Sequence, residues 1–412
     1  MTLGGSSVRR FVGSAVRRFA AVVAVLGAAA PAAAQPAPWS PERITAGWVF
    51  TPAVAIGTMW DSNPTTRNRD NPQEPELVTL VNPRTEFDFN GRRAKFSAGY
   101  SGTLERYQDL AELTRYDQRG RLEARYQMTP RLLFATRQQV TVTPTTDQLE
   151  LEGIPFTRIG STMVTSSGGF TFEITPRSAV RTDYTFQWVD FDRDTEGEPD
   201  FRFLQGGHAH TPSVEYDYAL SRRVKLGGVY VYRHMVVDAG EEVFGSHRAQ
   251  GIVQLVATPT TSIRVRAGMD HLALQDTTES RSGPSYGAGI TQRIRNVAID
   301  GSYERALMAS FGFGGLTASQ TMRAGASVPF GSGRGFVNGS FTYRRTDPVV
   351  LRDVLVELDS YWTNAAVGYL VARWLRIEGF VTITQQLSSA QGDVERTRVG
   401  VQFITLKPVR IQ

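Results

Sequence analysis

The chain has 412 residues, with 45 Lys and Arg, 40 Asp and Glu, and no cysteine. The lack of cysteine excludes a disulfide framework and any thiolate metal site. Arg9, Arg10, Arg17 and Arg18 are the only charges in the first 34 residues, which leaves 41 of the 45 basic residues against 40 acidic ones, and with that balance a nucleic-acid role loses its main support.

Residues 1–34 have the layout of an export signal. A basic start is followed by an apolar run from about Phe19 to Ala30, and Ala32-Ala33-Ala34 offers a small-residue cleavage site before Gln35. The apolar run is shorter than the roughly 20 residues that a spanning helix needs. The two Arg-Arg pairs are weighed against a twin-arginine signal, but their surroundings fit that route poorly and a general secretory signal is expected. Residues 35–45 form a short Pro-rich segment, expected in the periplasm.

From residue 46 a hairpin rhythm takes over. Turn signals stand at Asn90-Gly91, Thr129-Pro130, Thr175-Pro176, Ser221-Arg222, Thr258-Pro259, Arg295-Asn296, Gly331-Ser332-Gly333 and Arg373-Trp374. Asn-Gly favours a hairpin because both turn residues must accept positive φ. Proline ends a strand because it cannot donate to a ladder. Longer segments rich in Asp, Glu, Asn, Gly and Pro fall near 61–78, 108–116, 143–158, 191–206, 236–246, 274–284, 309–319, 346–357 and 387–395. Eight short turns and nine longer loops connect 18 strands, expected at 10 to 13 residues each.

Each strand alternates. Near 119–128, Arg119, Arg121, Glu123, Arg125 and Gln127 oppose Leu122, Ala124, Tyr126 and Met128. Near 262–273, Arg264, Arg266 and Asp270 oppose Ile263, Val265, Ala267 and Met269. Period two puts each set on one side of a sheet. A soluble sandwich alternates too, but three features favour a membrane. The strands exceed the usual globular length. Aromatics such as Tyr126, Phe134, Phe170, Phe172, Tyr216, Tyr218, Tyr369 and Phe403 gather near strand ends as in an interfacial girdle. Closure would also remove two long sheet edges and satisfy the backbone in hydrocarbon. The expectation is an all-β, transmembrane antiparallel up-and-down barrel of about 18 strands over 46–412, in the outer membrane of a Gram-negative bacterium, preceded by a cleaved signal peptide.

An 18-stranded barrel encloses an aqueous lumen unless something fills it. No loop exceeds about 18 residues, so no long inward-folding constriction loop is expected. The candidate lumen-lining residues are Arg121, Arg125, Arg137, Arg181, Arg233, Arg264, Arg266, Arg293, Arg376 and Arg398, with Glu123, Asp183, Asp270 and Glu378 on the same phase. One reading is an eyelet for anionic or sugar solutes, because arginine forks bind carboxylate and phosphate. The other is a cross-strand salt-bridge ladder that stiffens the wall. The near balance of both signs favours the ladder.

Catalysis is not expected. Of the five histidines, His208 and His210 share a face and could form half a metal site, but no third ligand is evident in the sequence. Asp270 and His271 are adjacent and therefore point to opposite faces. No cofactor is expected.

The run Gly57-Thr58-Met59-Trp60-Asp61-Ser62-Asn63-Pro64 resembles the opening strand and Asp-x-Asn loop of the outer-membrane β-barrel porin type 2 family, whose relatives accompany exopolysaccharide and PEP-CTERM loci. Val81-Asn82-Pro83, Gly99-Tyr100 and the Arg-Tyr-x-x-Thr-Pro-Arg run at 125–131 add to the likeness. The resemblance implies an outer-membrane barrel tied to polysaccharide secretion, and it implies no catalytic residues. One departure is the end of the chain, where Phe403 is followed by a basic tail rather than closing it. The expected partners are outer-membrane lipids, the barrel-assembly machinery, and polysaccharide or small polar and anionic solutes. A porin-like channel leads. A structural or docking barrel with a closed lumen, and a soluble β-type adhesin, stay open as alternatives.

Overall fold

The computed structural model describes residues 47–71, 73–149, 151, 153–192, 204–237, 242–274, 280–312, 315–349, 356–389 and 392–411. The export signal at 1–34 and the Pro-rich segment at 35–45 lie outside them. The first six strands are β1 (Gly47–Asp61), β2 (Glu76–Asn90), β3 (Ala94–Tyr107), β4 (Arg115–Thr129), β5 (Leu132–Thr143) and β6 (Ser161–Thr175). The next six are β7 (Ser178–Phe191), β8 (Gly207–Ala219), β9 (Val224–Val237), β10 (Glu242–Thr258), β11 (Thr261–Leu274) and β12 (Ser280–Ile294). The wall is completed by β13 (Val297–Ala309), β14 (Leu316–Phe330), β15 (Gly335–Pro348), β16 (Leu358–Ala372), β17 (Leu375–Ser388) and β18 (Val394–Leu406), with a short β19 (Val409–Ile411) after it. Among the described residues the helical elements are three single turns of 3₁₀ type.

Each strand from β1 to β18 pairs antiparallel with its sequence neighbours, and β1 also pairs with β18 from Ala53↔Leu406 to Asp61↔Arg398, so the sheet closes on itself. The basic tail completes the seam. After the break at Lys407-Pro408, where proline cannot donate, β19 resumes against β1 with Trp48↔Ile411. The wall is thus an 18-stranded barrel whose last strand is interrupted once.

All eight short turns fall where their signals stand. At Thr129, Thr175 and Thr258 the side-chain oxygen accepts from the backbone N–H two residues on, and Ser221 does the same. These hydroxyls satisfy the turn locally, which is why Thr-Pro and Ser-Arg mark it. The first hairpin departs from expectation. Asn90 stays in β2, Gly91 has no positive φ, and the turn closes through Gly91 N–H donating to the Ala94 carbonyl at 2.8 Å. Positive φ instead occurs at Arg295 and across Gly331, Ser332 and Gly333.

The strands run from 12 residues in β5 to 17 in β10, longer than the sequence suggested. The surplus is at the end bearing the long loops, where the wall continues past the apolar belt. That belt covers the outer face, with Val253, Val265, Ile290, Ile299, Val367, Val399 and Val401 all exposed. Below it, towards the short turns, stand Tyr126, Phe170, Phe172, Tyr216, Tyr218, Tyr369 and Phe403, exposed as a girdle requires. Trp48 joins them, stacked on Phe87 at 4.7 Å.

An arginine on the outer face must enter hydrocarbon, whereas one on the inner face meets water. Val265→Arg, paired with exposed Val253, is expected to cost roughly 2–4 kcal/mol and block insertion. Ile377→Arg, two residues from the start of β17, should cost less because the penalty falls towards the interface. Thr185→Arg, on the inner phase of β7 between Ser167 and Thr211, should insert normally. Heat-modifiable electrophoretic mobility after refolding into vesicles checks all three.

Candidate functional site

The site is built where the segment between β5 and β6, residues 144–160, leaves the wall and folds into the barrel. This corrects the expectation that no loop could constrict the lumen: 17 residues suffice because the segment turns inward at the rim instead of arching over it. It doubles back on itself. Thr146 N–H donates to the Thr157 carbonyl at 2.9 Å, Thr157 N–H donates to Thr146 Oγ1 at 2.8 Å, and Thr146 Oγ1–H donates to the Pro155 carbonyl at 2.5 Å.

Its tip then meets strands far around the ring; β17 is six strands from β5 counted through β1. Trp362 Nε1 on β16 donates to the Asp147 carbonyl at 2.8 Å. Gln386 on β17 accepts from Phe156 N–H at 2.7 Å and donates to the Ile154 carbonyl at 3.0 Å. Arg158 donates to the Pro64 carbonyl at 2.7 Å and to the Leu113 carbonyl, with its guanidinium over the Tyr107 ring. On the opposite side Leu149, Ile154 and Ile159 enter an apolar cluster with Val189, Phe191, Met235, Phe244, Leu272 and Phe311. These residues are on strand ends and loops from β7 to β14, so the segment bridges the lumen.

At its centre is a buried ion network. Arg396 on β18 is 1 % exposed and meets Asp61 at 2.6 Å and Asp147 at 3.3 Å, both carboxylates being buried as well. Arg398 lies 3.6 Å from Asp61, 3.7 Å from Asp147 and 3.9 Å from Glu105. Tyr107 donates to Glu105 at 3.2 Å. Asn63 ties the start of the first loop to β18 by donating to the Glu395 carbonyl at 3.1 Å, while its own N–H donates to Asp61 Oδ1. The Asp61-Ser62-Asn63 run is therefore structural: it presents one of the two carboxylates that hold Arg396. Burial by itself would raise the Asp147 carboxyl, but Arg396 and Arg398 outweigh it and hold the group below the ordinary carboxylate value.

Beneath this plug, towards the short turns, the lumen is lined by polar and charged side chains. A cavity of about 280 Å³ is lined by Arg84, Glu105, Asp117, Arg119, Gln148, Phe380, Arg398 and Gln402, among others. A second of about 460 Å³ shares Arg84, Ser101 and Arg119 with it and extends past Glu86, Arg121, Glu123 and Arg137. Exposure separates the two levels. The side chains of Arg121, Glu86 and Arg137 keep 55, 45 and 61 % of their surface, against 1 % or less for Arg396 and Asp61.

The lumen-lining candidates are distributed around the wall and do not gather into one eyelet. Arg121 pairs with Glu86 at 2.7 Å, Arg137 with Glu123 at 3.0 Å, and Arg266 with Glu304 at 2.6 Å. Arg181 meets Glu215 and Asp217, and Arg264 shares Glu215 at 2.8 Å. Arg376 lies 3.4 Å from Glu378 and 5.3 Å over the Phe336 ring. Asp270 accepts from Arg248 at 2.8 Å and from Leu307 N–H at 2.8 Å. Asp183 stands on β7 opposite Ser213, Arg233 on β9 opposite Ser246, and Arg125 and Arg293 near the short turns opposite Ala135 and Ala298. Among the candidates Arg398 meets the plug, 3.7 Å from Asp147. Asp147, Arg158, Tyr107, Trp362 and Arg396 escaped the sequence reading. A pointer was the Asp147 loop itself, which carries Leu149, Leu151, Ile154, Phe156 and Ile159, residues suited to burial.

The histidines lie on the outer face, away from the lumen. Asp270 bonds inward to Arg248, while His271 Nδ1 meets Ser282 Oγ at 2.8 Å outside. Among the described residues no group of three or more His, Asp or Glu side chains is placed to hold a metal ion.

Removing the arginine strands two buried carboxylates. Arg396→Met is expected to cost roughly 3–5 kcal/mol locally and to expose residues 144–160 to limited proteolysis while the barrel stays heat-modifiable. Because the folded-state pKa of Asp147 is depressed, its contribution is complete above the unfolded value of about 3.9 and is lost as pH falls through the lower folded value. Protease protection of the segment should thus hold from neutral pH to about 4 and fail only below it.

No protein-family model matches the sequence, and no curated protein matches it. Among solved structures, the chain is similar in fold to Acinetobacter baumannii OccAB4, at 8 % identity and a TM-score of 0.45, over 90 % of this chain and 100 % of that one. It is similar also to Pseudomonas aeruginosa OccK3 (OpdO), at 11 % identity and 0.43, over 87 % and 96 %. The outer membrane protein OpdK of Pseudomonas aeruginosa gives 10 % and 0.44, over 87 % and 99 %.

Proposed function

We propose that this chain is a porin-like channel of a Gram-negative outer membrane, passing small polar solutes through a lumen whose outer end is constricted by residues 144–160. The observation that carries this reading is the step in solvation along one lumen, from solvated arginines and carboxylates below to a buried ion network above. The closed wall, the apolar belt and the asymmetry of short turns and long loops support the location. Insertion then calls on the barrel-assembly machinery, with β18 and β19 as the terminal strand at the seam.

The lining favours solutes that exchange hydrogen bonds with guanidinium, amide and hydroxyl groups, such as sugars and small anions. Cavities of about 280 and 460 Å³ suit one or two sugar rings. A polysaccharide strand, which the family resemblance suggests as cargo, needs the inward segment displaced first. The buried network favours a second reading, a docking barrel that stays shut and acts through its loops.

Single-channel conductance in planar bilayers separates the two. A constricted channel should give small, steady, anion-preferring steps in the wild type and much larger ones in Arg396→Met. Silence from both proteins, each shown to be inserted, would refute the channel and leave the docking barrel.

A further inference from the structure

All five histidines of the chain stand on one stretch of the outer face, close to the long-loop end. On β8, His208 and His210 are two residues apart, and His210 is directly opposite His234 on β9. On β10, His247 is opposite Tyr232 on one side and His271 of β11 on the other. The stripe follows the tilt of four adjacent strands. The apolar belt begins immediately below it, with Tyr184, Tyr230 and Met269 exposed. In an outer membrane the upper edge of such a belt would meet the headgroups.

The rings are held in a common sense. Tyr184 Oη is 2.5 Å from His210 Nδ1, Tyr230 Oη is 2.7 Å from His247 Nδ1, and Ser282 Oγ is 2.8 Å from His271 Nδ1. A hydroxyl donating to Nδ1 fixes the tautomer with its proton on Nε2. With the hydroxyls donating, three strands present an imidazole Nε2–H on the surface. Arg305 on β13 extends the row, its guanidinium donating to the Pro284 carbonyl at 2.9 Å.

We propose that this stripe is a binding site for the phosphate-bearing headgroup of an outer-leaflet glycolipid, which the imidazole N–H groups and Arg305 would grip through its phosphate oxygens. A row of donors at headgroup depth, directly above an apolar belt, complements an anionic head on acyl chains. The proposal rests on the reading of the barrel as an outer-membrane protein.

The test uses the refolded full-length barrel in phosphatidylcholine vesicles, alone, with diphosphoryl lipid A, or with lipid A stripped of both phosphates. Heat-modifiable mobility in plain phosphatidylcholine reports insertion by itself, so failure there would count against the membrane reading and not merely against this site. Expected is a rise in the thermal transition of the wild type with diphosphoryl lipid A only. In the triple variant His210→Gln, His247→Gln, His271→Gln, half-saturation should need about tenfold more lipid A or worse, since three hydrogen bonds are lost. If the triple variant fails to insert, His271→Gln alone, at an exposed position, should show a smaller weakening in the same direction. Equal responses of wild type and variant, or of phosphorylated and stripped lipid A, would overturn the proposal. So would a wild-type oligomer in mild detergent that the triple variant turns into a monomer, because the stripe would then be a contact between two copies of the chain.

Discussion

A strand whose outer face meets hydrocarbon finds no water for its N–H and C=O groups, and each one left unpaired costs several kcal/mol. Every other feature of this molecule follows from meeting that demand by closure. The seam between β1 and β18 is the decisive contact, since it converts a sheet with two edges into one with none. It also explains the tail. Without the pairing of Trp48 and Ile411, the lower third of β1 would face the membrane with an unpaired edge on that side.

Closure creates a second problem, because a wide polar lumen supplies little apolar burial. The wall's solvated ion pairs contribute about 0–1 kcal/mol each and line the chamber more than they hold it. Dense packing occurs instead where the inward segment brings Leu149, Ile154 and Ile159 against strand ends from β7 to β14. The hydrophobic core of this barrel is thus at its outer mouth, with a polar chamber beneath.

The buried network of Arg396, Asp61 and Asp147 is the hinge between architecture and function. Two carboxylates and two guanidiniums come from β1, β18 and the inward segment, so the network records whether the segment is in place. Burying such charges is seldom a net gain in stability over an apolar filling. Its value here is one of specification, since carboxylate and guanidinium fix one docked position where apolar packing alone would tolerate several.

The barrel was legible in the sequence because its determinants are local. Alternation with period two assigns the faces, and Thr-Pro, Ser-Arg and Gly-Ser-Gly place the turns through bonds made within three residues. Residues on the inner phase, from Arg121 to Glu378, follow from parity alone. Nothing local distinguishes Asp147 from a solvated loop residue, however, and the Asp61-Ser62-Asn63 run reads equally well as a loop start. Their partners, Arg396 and Glu395, are more than 240 residues away along the chain. Whether a 17-residue loop arches outward or folds inward depends on what the far wall offers it, here Trp362, Gln386 and Arg396. The sequence by itself determined a closed, membrane-facing barrel with a charged interior. Only the tertiary structure decided that the interior is constricted at one end, because a plug is a contact between opposite walls that exists only after the ring has closed.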